Sequence, residues 1–460
     1  MDTETAVHLK SLFEPRGVAV IGASSKKGKI GYEILRNIVD GHFAGPVYPV
    51  NPHEENILGL SVYRSIIDIP DIVDTCIITV PPEQVPRVLL ECGRKRVSGA
   101  VIISAGFSEI GNFDLEKQVS KSALEGGVRV IGPNCAGIIN TEKHLYATIE
   151  SRIAPGSVAF ITQSGAFGGL VLASAREQRI GFSKFVSYGN RSDVDEAELL
   201  EYLLGDSQTR VIAMYIEGLR DGRRFIQAAK QVSLVKPILA IKSGSSAEGA
   251  RAALSHTGAL AGSDRIYDGA FRQAGIIRAQ DVDDLLDMAK SLSCQPVSKG
   301  DRIGIVTNSG GPGVMMADAL ANFGLKAPEP SPATYDKLAF LPSICSRKNP
   351  IDLTAGTDSE SYRRTIRVLA ESEDFDTIVV VFIPPAFQKS GTISEAVLQV
   401  AGTISKPIVA CFMAGDLVRD GVEALEKGGV PNFPTVSRAA KAVWALEQRG
   451  KILAQQPQSA

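Results

Sequence analysis

Short apolar runs rich in β-branched residues punctuate the start of the chain at residues 17–21, 47–50, 75–80, 100–103 and 128–131, and each is followed by Gly, Asn, Pro or Ser. Between them lie segments with helical spacing of apolar positions, such as 31–39 and 83–92. Strands alternating with helices predict a doubly wound parallel sheet, whose ligands sit beyond the carboxyl ends of the strands. After a looser connection over 141–156, a second alternating unit follows, with strands predicted at 157–161, 182–186, 211–216 and 237–241 and a closing helix at 281–292. The segment 294–300, which carries Pro296, reads as a boundary, and a third unit opens with a strand at 303–306. The expected division is therefore 1–140, 141–294 and 300–453, with residues 454–460 as a frayed tail.

The second and third units read as copies of one another. Ile161-Thr162-Gln163-Ser164-Gly165-Ala166-Phe167-Gly168 matches Val306-Thr307-Asn308-Ser309-Gly310-Gly311-Pro312-Gly313 at an offset of 145 residues. Lys236-Pro237-Ile238-Leu239-Ala240 matches Lys406-Pro407-Ile408-Val409-Ala410 at an offset of 170, and the closing strands and helices, from Gly275 and Gly429, realign at 154. The drop from 170 to 154 assigns the second unit an additional segment, residues 245–274, which contains His256.

A length of 460 residues suits about three domains at roughly 150 residues each. The composition, 44% hydrophobic and 22% charged, is that of a globular chain. With 49 Lys and Arg against 51 Asp and Glu, the chain has no basic field to hold nucleic acid or an acidic membrane, so small partners are expected. Its apolar runs are far shorter than the roughly 20 residues that span a bilayer, and the acidic opening Met1-Asp2-Thr3-Glu4 does not read as a signal peptide. A cytoplasmic location is expected. The six cysteines are scattered without a C-x-x-C pair and are expected to be reduced thiols, with no metal site.

Four motifs carry candidate chemistry. Residues 22–31, Gly-Ala-Ser-Ser-Lys-Lys-Gly-Lys-Ile-Gly, follow a strand and open a helix, so their free N–H groups can hold a phosphate. They are not G-x-G-x-x-G, and Val50-Asn51-Pro52 stands where a dinucleotide fold places the acid that grips a ribose, which disfavours NAD. A phosphate-bearing nucleotide without that grip, such as coenzyme A, fits better; a glycine turn without a ligand remains the other reading. Gln163-Ser164-Gly165 and Asn308-Ser309-Gly310 each join a strand to an apolar helix, and each is either an ordinary cap or a site where helix N-termini meet a phosphoryl group. Among five histidines, His256 stands out by its small-residue setting in the additional segment; a neutral imidazole held by a carboxylate is a competent phosphoryl acceptor. Glu217, in Tyr215-Ile216-Glu217-Gly218, lies just past a strand on the functional edge, where the other reading is a solvated strand end. Cys135 has no histidine nearby in sequence, which argues against a thiol nucleophile.

Taken in order, residues 22–31 with Val50-Asn51-Pro52, Gly132-Pro133-Asn134, Gln163-Ser164-Gly165-Ala166, Tyr215-Ile216-Glu217-Gly218, Ser255-His256-Thr257-Gly258 and Asn308-Ser309-Gly310-Gly311 make the chain resemble, over nearly its whole length, the alpha subunits of NDP-forming acyl-CoA synthetases. Acetate-CoA ligase (ADP-forming) is the typical member, and the succinyl-CoA synthetases belong to the wider superfamily. The resemblance implies an N-terminal Rossmann-like CoA-binding domain followed by two flavodoxin-like ligase domains. It assigns CoA binding to Gly22, Ser24, Ser25, Gly28, Lys29, Asn51, Val80, Pro81, Ser104 and Asn134, and phosphate binding to Gln163, Ser164, Gly165, Asn308, Ser309, Gly310 and Gly311. It makes His256 the carrier of a phosphohistidine, oriented by Glu217. It further implies coenzyme A and phosphate as substrates, a small carboxylic acid with acetate as the default, and Mg²⁺ with ADP or ATP on an ATP-grasp beta subunit, in an α2β2 assembly. A regulatory module that senses acyl-CoA without catalysis is the alternative, which the presence of both His256 and Glu217 disfavours.

Overall fold

The computed structural model of the chain describes residues 3–246, 248–249, 251 and 264–455. His256 and its neighbours lie outside the described residues. The chain gathers into two compact units that divide between Val282 and Asp283.

The first unit holds two sheets. One is five-stranded and parallel, in the order Val47–Val50, Val18–Ile21, Thr75–Ile78, Gly99–Ile102, Arg129–Ile131. The chain turns to one side after its first strand and to the other after its second, so a switch point lies beside the carboxyl end of Val18–Ile21. Val18, Val20, Ile77 and Val101 belong to one buried cluster, whereas Ala19, Ile21, Cys76, Ile78, Ala100 and Ile102 belong to another. Successive strand residues point to opposite faces, and both faces are covered, which is why these strands read as continuous apolar runs.

The other sheet has seven strands. Ile276–Arg278, Ile238–Lys242, Val211–Ile216, Pro155–Thr162 and Phe182–Ser187 run parallel, and Gly137–Asn140 and Leu145–Thr148 add an antiparallel hairpin on the edge. The hairpin replaces the loose connection expected from 141 and draws residues 137–140 into the second sheet. Its strands have four residues each, too few to display a period, yet Ile138, Leu145 and Ala147 are buried in the same core as Val18 and Ile161. The hairpin also shields what would otherwise be an open sheet edge. The helix Thr3–Phe13 joins the two sheets: Phe13 stacks on Tyr202 at 4.7 Å and its carbonyl accepts from the Asn140 amide at 2.9 Å.

The second unit holds a four-stranded parallel sheet, Ile351–Asp352, Ile303–Thr307, Thr377–Phe382, Ile408–Phe412. This is the winding order of the parallel strands in the seven-stranded sheet, with the expected fifth strand reduced to one bridge between Ala410 and Asn432. The Lys-Pro pairs of the two repeats also agree. Lys236 donates to the carbonyls of Leu203 and Asp206, and Lys406 to that of Ser372, so each ammonium serves the carboxyl end of the helix two back in the chain, Glu196–Gly205 and Ser359–Glu371. From Asp283 onward, the helix expected to close the preceding unit groups with this one by its contacts. Asp287 receives Arg438 at 2.6 and 2.7 Å, and Asp284 pairs with Lys441. Both cations lie on the last helix, Val436–Ala454, which continues one residue into the stretch expected to fray. Among the described residues no helix is long and apolar enough to cross a membrane, and the six cysteines are free thiols.

Asp74 ties the chain entering the first strand to the entrance of the neighbouring strand Thr75–Ile78, accepting from the Arg16 backbone N–H at 2.7 Å and from its guanidinium at 2.9 and 2.7 Å. The guanidinium hydrogen bond holds the Asp74 carboxyl below the usual range, against the upward push of burial. A depressed folded value means stability that is present above the unfolded pKa of about 3.9 and is lost as pH falls through the folded value. Asp74→Asn is expected to melt lower at pH 7 and to lose less on acidification to about pH 3. Thermal melts at the two pH values check this, and an equal decrement at both refutes it.

Candidate active site

In the first sheet, the expected ligand residues follow the carboxyl ends of parallel strands and so share one edge. Gly22 has φ +89°, and a Cβ there would lie 2.7 Å from Thr79 Oγ1; a Cβ on Gly31 would lie 2.1 Å from the Gly22 carbonyl oxygen. The helix Ile30–Asp40 therefore seats directly on the turn, which only glycine at both positions permits. The N–H of Ser25 donates to both carboxylate oxygens of Glu54 at 3.0 and 3.1 Å, and that of Gly28 to Glu33 at 2.9 Å. Ser24 Oγ accepts from the Lys26 N–H at 3.1 Å. The loop thus turns several donors toward anionic oxygen, the property a phosphate site needs. Asn51 is spent on shaping this loop: its amide donates to the Ala23 carbonyl at 2.7 Å and accepts from the His53 N–H at 2.8 Å. Ser104 donates to the Val80 carbonyl at 2.5 Å, and its own carbonyl accepts from the Asn134 N–H at 2.9 Å. Val80, Ser104 and Asn134 are thereby brought together across three strand ends.

Asn134 has φ +55° and follows a cis Gly132–Pro133 bond. Its loop meets the residues after Phe182–Ser187, which the sequence reading did not single out. The Asn134 amide donates to Asn190 Oδ1 at 3.2 Å, and the Asn190 N–H donates to the Pro133 carbonyl at 2.9 Å. The Asn190 amide also donates to Glu109 at 2.7 Å and Glu116 at 2.8 Å. Burial raises the Glu109 pKa, but hydrogen bonds from the Gly106 N–H and Asn190 outweigh it and hold the carboxyl below its usual range. A run of polar residues and glycine just past a strand, Ser187-Tyr188-Gly189-Asn190-Arg191, was the signal that could have found them. Cys135 is buried, which pushes its thiol up to about 12 and makes it a poor nucleophile.

The switch point of the second sheet lies between the ends of Pro155–Thr162 and Val211–Ile216, where Gln163-Ser164-Gly165 and Glu217 stand. Thr162 Oγ1 donates to the Ser164 carbonyl at 2.8 Å and accepts from the Ser164 N–H at 3.1 Å, folding the turn, and Ser164 caps the helix Gly165–Glu177 through the Phe167 N–H at 3.3 Å. In the other unit, Thr307 makes the same pair of bonds with Ser309, at 3.0 and 3.1 Å. The Gln163 side chain reaches across to the neighbouring strand exit: its amide N–H donates to the Gly218 carbonyl at 3.1 Å, and its oxygen accepts from the N–H groups of Glu217 and Gly218. Asn308 does the same to Ile383, donating at 2.7 Å and accepting at 3.1 Å. The amides of Gln163 and Asn308 are thus committed to the backbone. Tyr215 pairs with Thr162 and Val381 with Thr307, so Glu217 corresponds in register to Ile383. The repeat has the turn without the acid.

Glu217 is half-buried. Around it lie Tyr215, stacked on Phe167 at 4.0 Å, and Arg191, whose guanidinium donates to the Gly218 carbonyl and lies 3.5 Å from Glu196. Lys242, buried at the exit of the next strand, sits 4.6 Å from the centre of the Tyr267 ring, and burial lowers its pKa. Phosphoryl chemistry at this edge would meet helix N-terminal amides, one carboxylate and two nearby cations.

Three family models match the chain: a CoA binding domain over residues 16–141, a succinyl-CoA ligase like flavodoxin domain over 155–292, and a Ligase-CoA domain over 303–452. The chain is 44% identical over 452 residues to the acetate–CoA ligase [ADP-forming] II subunit alpha of Pyrococcus furiosus, covering 96% of this chain and 98% of that one. It is 42% identical to the acetate–CoA ligase [ADP-forming] of Methanocaldococcus jannaschii, over 95% of this chain and 62% of that longer protein. Among solved structures, the dinucleotide forming acetyl-coenzyme A synthetase 1 of Ca. Korarchaeum cryptofilum, in complex with phosphate and ADP, superposes with a TM-score of 0.93 at 38% identity, covering 97% of each chain.

Removal of the Gln163 side chain takes the acceptor from the N–H groups of Glu217 and Gly218 and one of two donors from the Gly218 carbonyl, which keeps Arg191, a loss of about 1–3 kcal/mol for a buried group. In Gln163→Ala the amides of residues 217 and 218 are expected to lose hydrogen-exchange protection, while the strands of the first sheet keep theirs. Unchanged protection at 217 and 218 would show that the amide does not hold this loop.

Proposed function

Because the chain belongs to the ADP-forming acyl-CoA ligase family, with the acetate–CoA ligase alpha subunits, we propose that it converts acyl-CoA, phosphate and ADP to acid, CoA and ATP through an acyl phosphate and a phosphohistidine on His256. Phosphate oxygen attacks the thioester carbonyl and the CoA thiolate leaves. An imidazole nitrogen of His256 then attacks phosphorus and the carboxylate leaves, and the phosphorylated histidine transfers its group to ADP on an ATP-grasp beta subunit within an α2β2 assembly. The same steps in reverse activate the acid. Acetate is the default acid.

The observation that carries this reading is the position of Glu217. It stands at the switch point, its backbone held to the Gln163 side chain beside the Ser164-Gly165 turn, while Ile383 occupies the same place in the repeat. A carboxylate there can accept from one imidazole nitrogen and stabilise the charge that develops as the other attacks phosphorus. The amides at the start of the helix Gly165–Glu177 supply a positive dipole end for the phosphoryl oxygens, so positioning and electrostatics carry the catalysis. The glycine loop at 22–31, with Val80, Ser104 and Asn134 across the same edge, is assigned to coenzyme A. Mg²⁺ enters with the nucleotide on the partner. Among the described residues no group of three His, Cys, Asp or Glu side chains is gathered to hold an ion, and no step on this chain is routed through one.

Incubation of the assembled enzyme with acetyl-CoA and labelled phosphate is expected to place an acid-labile phosphate on His256. His256→Ala is expected to abolish both the label and ADP-linked turnover while CoA binding persists. Turnover at the wild-type rate in that variant would discard the mechanism, and acyl-CoA binding with no label in the wild type would favour a sensing module. Glu217→Gln is expected to slow single-turnover labelling by at least about tenfold, given that an amide replacing the carboxylate behind a catalytic histidine can cost as much as about 10⁴. Wild-type labelling rates across the pH range would remove Glu217 from its role.

A further inference from the structure

Arg191 is held in an uncommon conformation for a specific contact. Its φ is +52°, in the left-handed region that a non-glycine residue seldom occupies. The turn containing it is closed by its N–H donating to the Tyr188 carbonyl at 3.0 Å. From there the guanidinium donates to the Gly218 carbonyl, and the Arg191 carbonyl accepts from the Arg220 guanidinium at 2.6 Å. The same nitrogen, Nη1, lies 3.5 Å from Glu196 Oε2, a buried oxygen without a hydrogen bond in a residue only 2% exposed. A buried carboxylate with an orphaned oxygen is costly unless a cation stands against it. Glu196 and Arg191 therefore hold each other, and the nitrogen held beside Glu196 is the one that donates to the loop of Glu217.

The segment 217–220 is consequently gripped from two elements: by Gln163 at the exit of one neighbouring strand and by Arg191 beyond the exit of the next. Resting on the reading above, we propose that Arg191, backed by Glu196, is a positioning residue that sets the direction of the Glu217 carboxylate toward its imidazole. It touches no reacting atom. The guanidinium presents one Nη1 to both the Gly218 carbonyl and the Glu196 carboxylate, and its planar, delocalised head fixes where that nitrogen stands; a lysine ammonium keeps the charge and loses the geometry.

The test is a double-mutant cycle on the assembled enzyme, with single-turnover labelling of His256 from acetyl-CoA and labelled phosphate as the readout and CoA affinity as the control for folding. Arg191→Lys is expected to slow labelling by about tenfold to a hundredfold, the range an ångström of misplacement costs. In the Glu217→Gln background the same change is expected to slow it less than about twofold, because Arg191 then has no carboxylate to direct. Glu196→Gln, which keeps shape and removes the anchoring charge, is expected to follow the same pattern more weakly, and it carries the test if Arg191→Lys loses CoA binding. Additive effects in the two backgrounds, or wild-type labelling in both variants, overturn the proposal. Absence of label in the wild type overturns the phosphohistidine reading instead, so the two failures are distinguishable.

Discussion

A side-chain amide reaching from the end of one parallel strand to the exit of the next is the contact on which the candidate site depends. Parallel strands end at one edge, but their exit loops have no ladder to hold them and must be tied by side chains. Gln163 does this with both ends of its amide, occupying one carbonyl and two N–H groups at 217 and 218. Thr162, one residue earlier, closes the adjoining turn on Ser164. Two neighbouring residues thus shape both the helix N-terminus and the loop that faces it, and a change at either would disturb both sides of the site.

The first sheet contributes by a different device. Its ligand edge is extended by the Gly132–Pro133–Asn134 loop, which hands the chain to the second sheet and is anchored there by Asn190. Asn190 also draws in Glu109 and Glu116, so the exits of the fourth and fifth strands of one sheet and the second parallel strand of the other share one polar knot. The continuous core beneath, running from Val18 and Ile34 through Ile138 to Ile161 and Ile212, makes the two sheets of this unit a single packed body. The two strand edges stay in register only if their strands do not slide, and this shared core supplies that stiffness.

Duplication accounts for the second unit, and divergence for its different chemistry. The Thr-x-Ser turn, the amide that crosses to the next strand and the lysine before the fourth strand recur. What did not recur is the carboxylate, replaced by Ile383, together with the additional segment that carries His256. The repeat retained what shapes a helix N-terminus and lost what would act on an imidazole.

The linear order of residues was sufficient to determine the alternation of strands and helices, the duplication, and the turns that end the strands, because these follow from local apolar periodicity and from small residues that only certain backbone shapes accept. Gly22, Gln163, Glu217 and Asn308 were legible for that reason. The hairpin at Gly137–Thr148 was not, since four-residue strands have no period to read and form only against a sheet that already exists. Nor was the allegiance of the helix from Asp283, whose acids find Arg438 and Lys441 some 150 residues later. The roles of Asn51, Asn190 and Arg191 likewise required three dimensions. An amide or guanidinium in a sequence announces what it can donate and accept, but the partner it meets is chosen by strand order and packing, which bring distant backbone groups within about 3 Å.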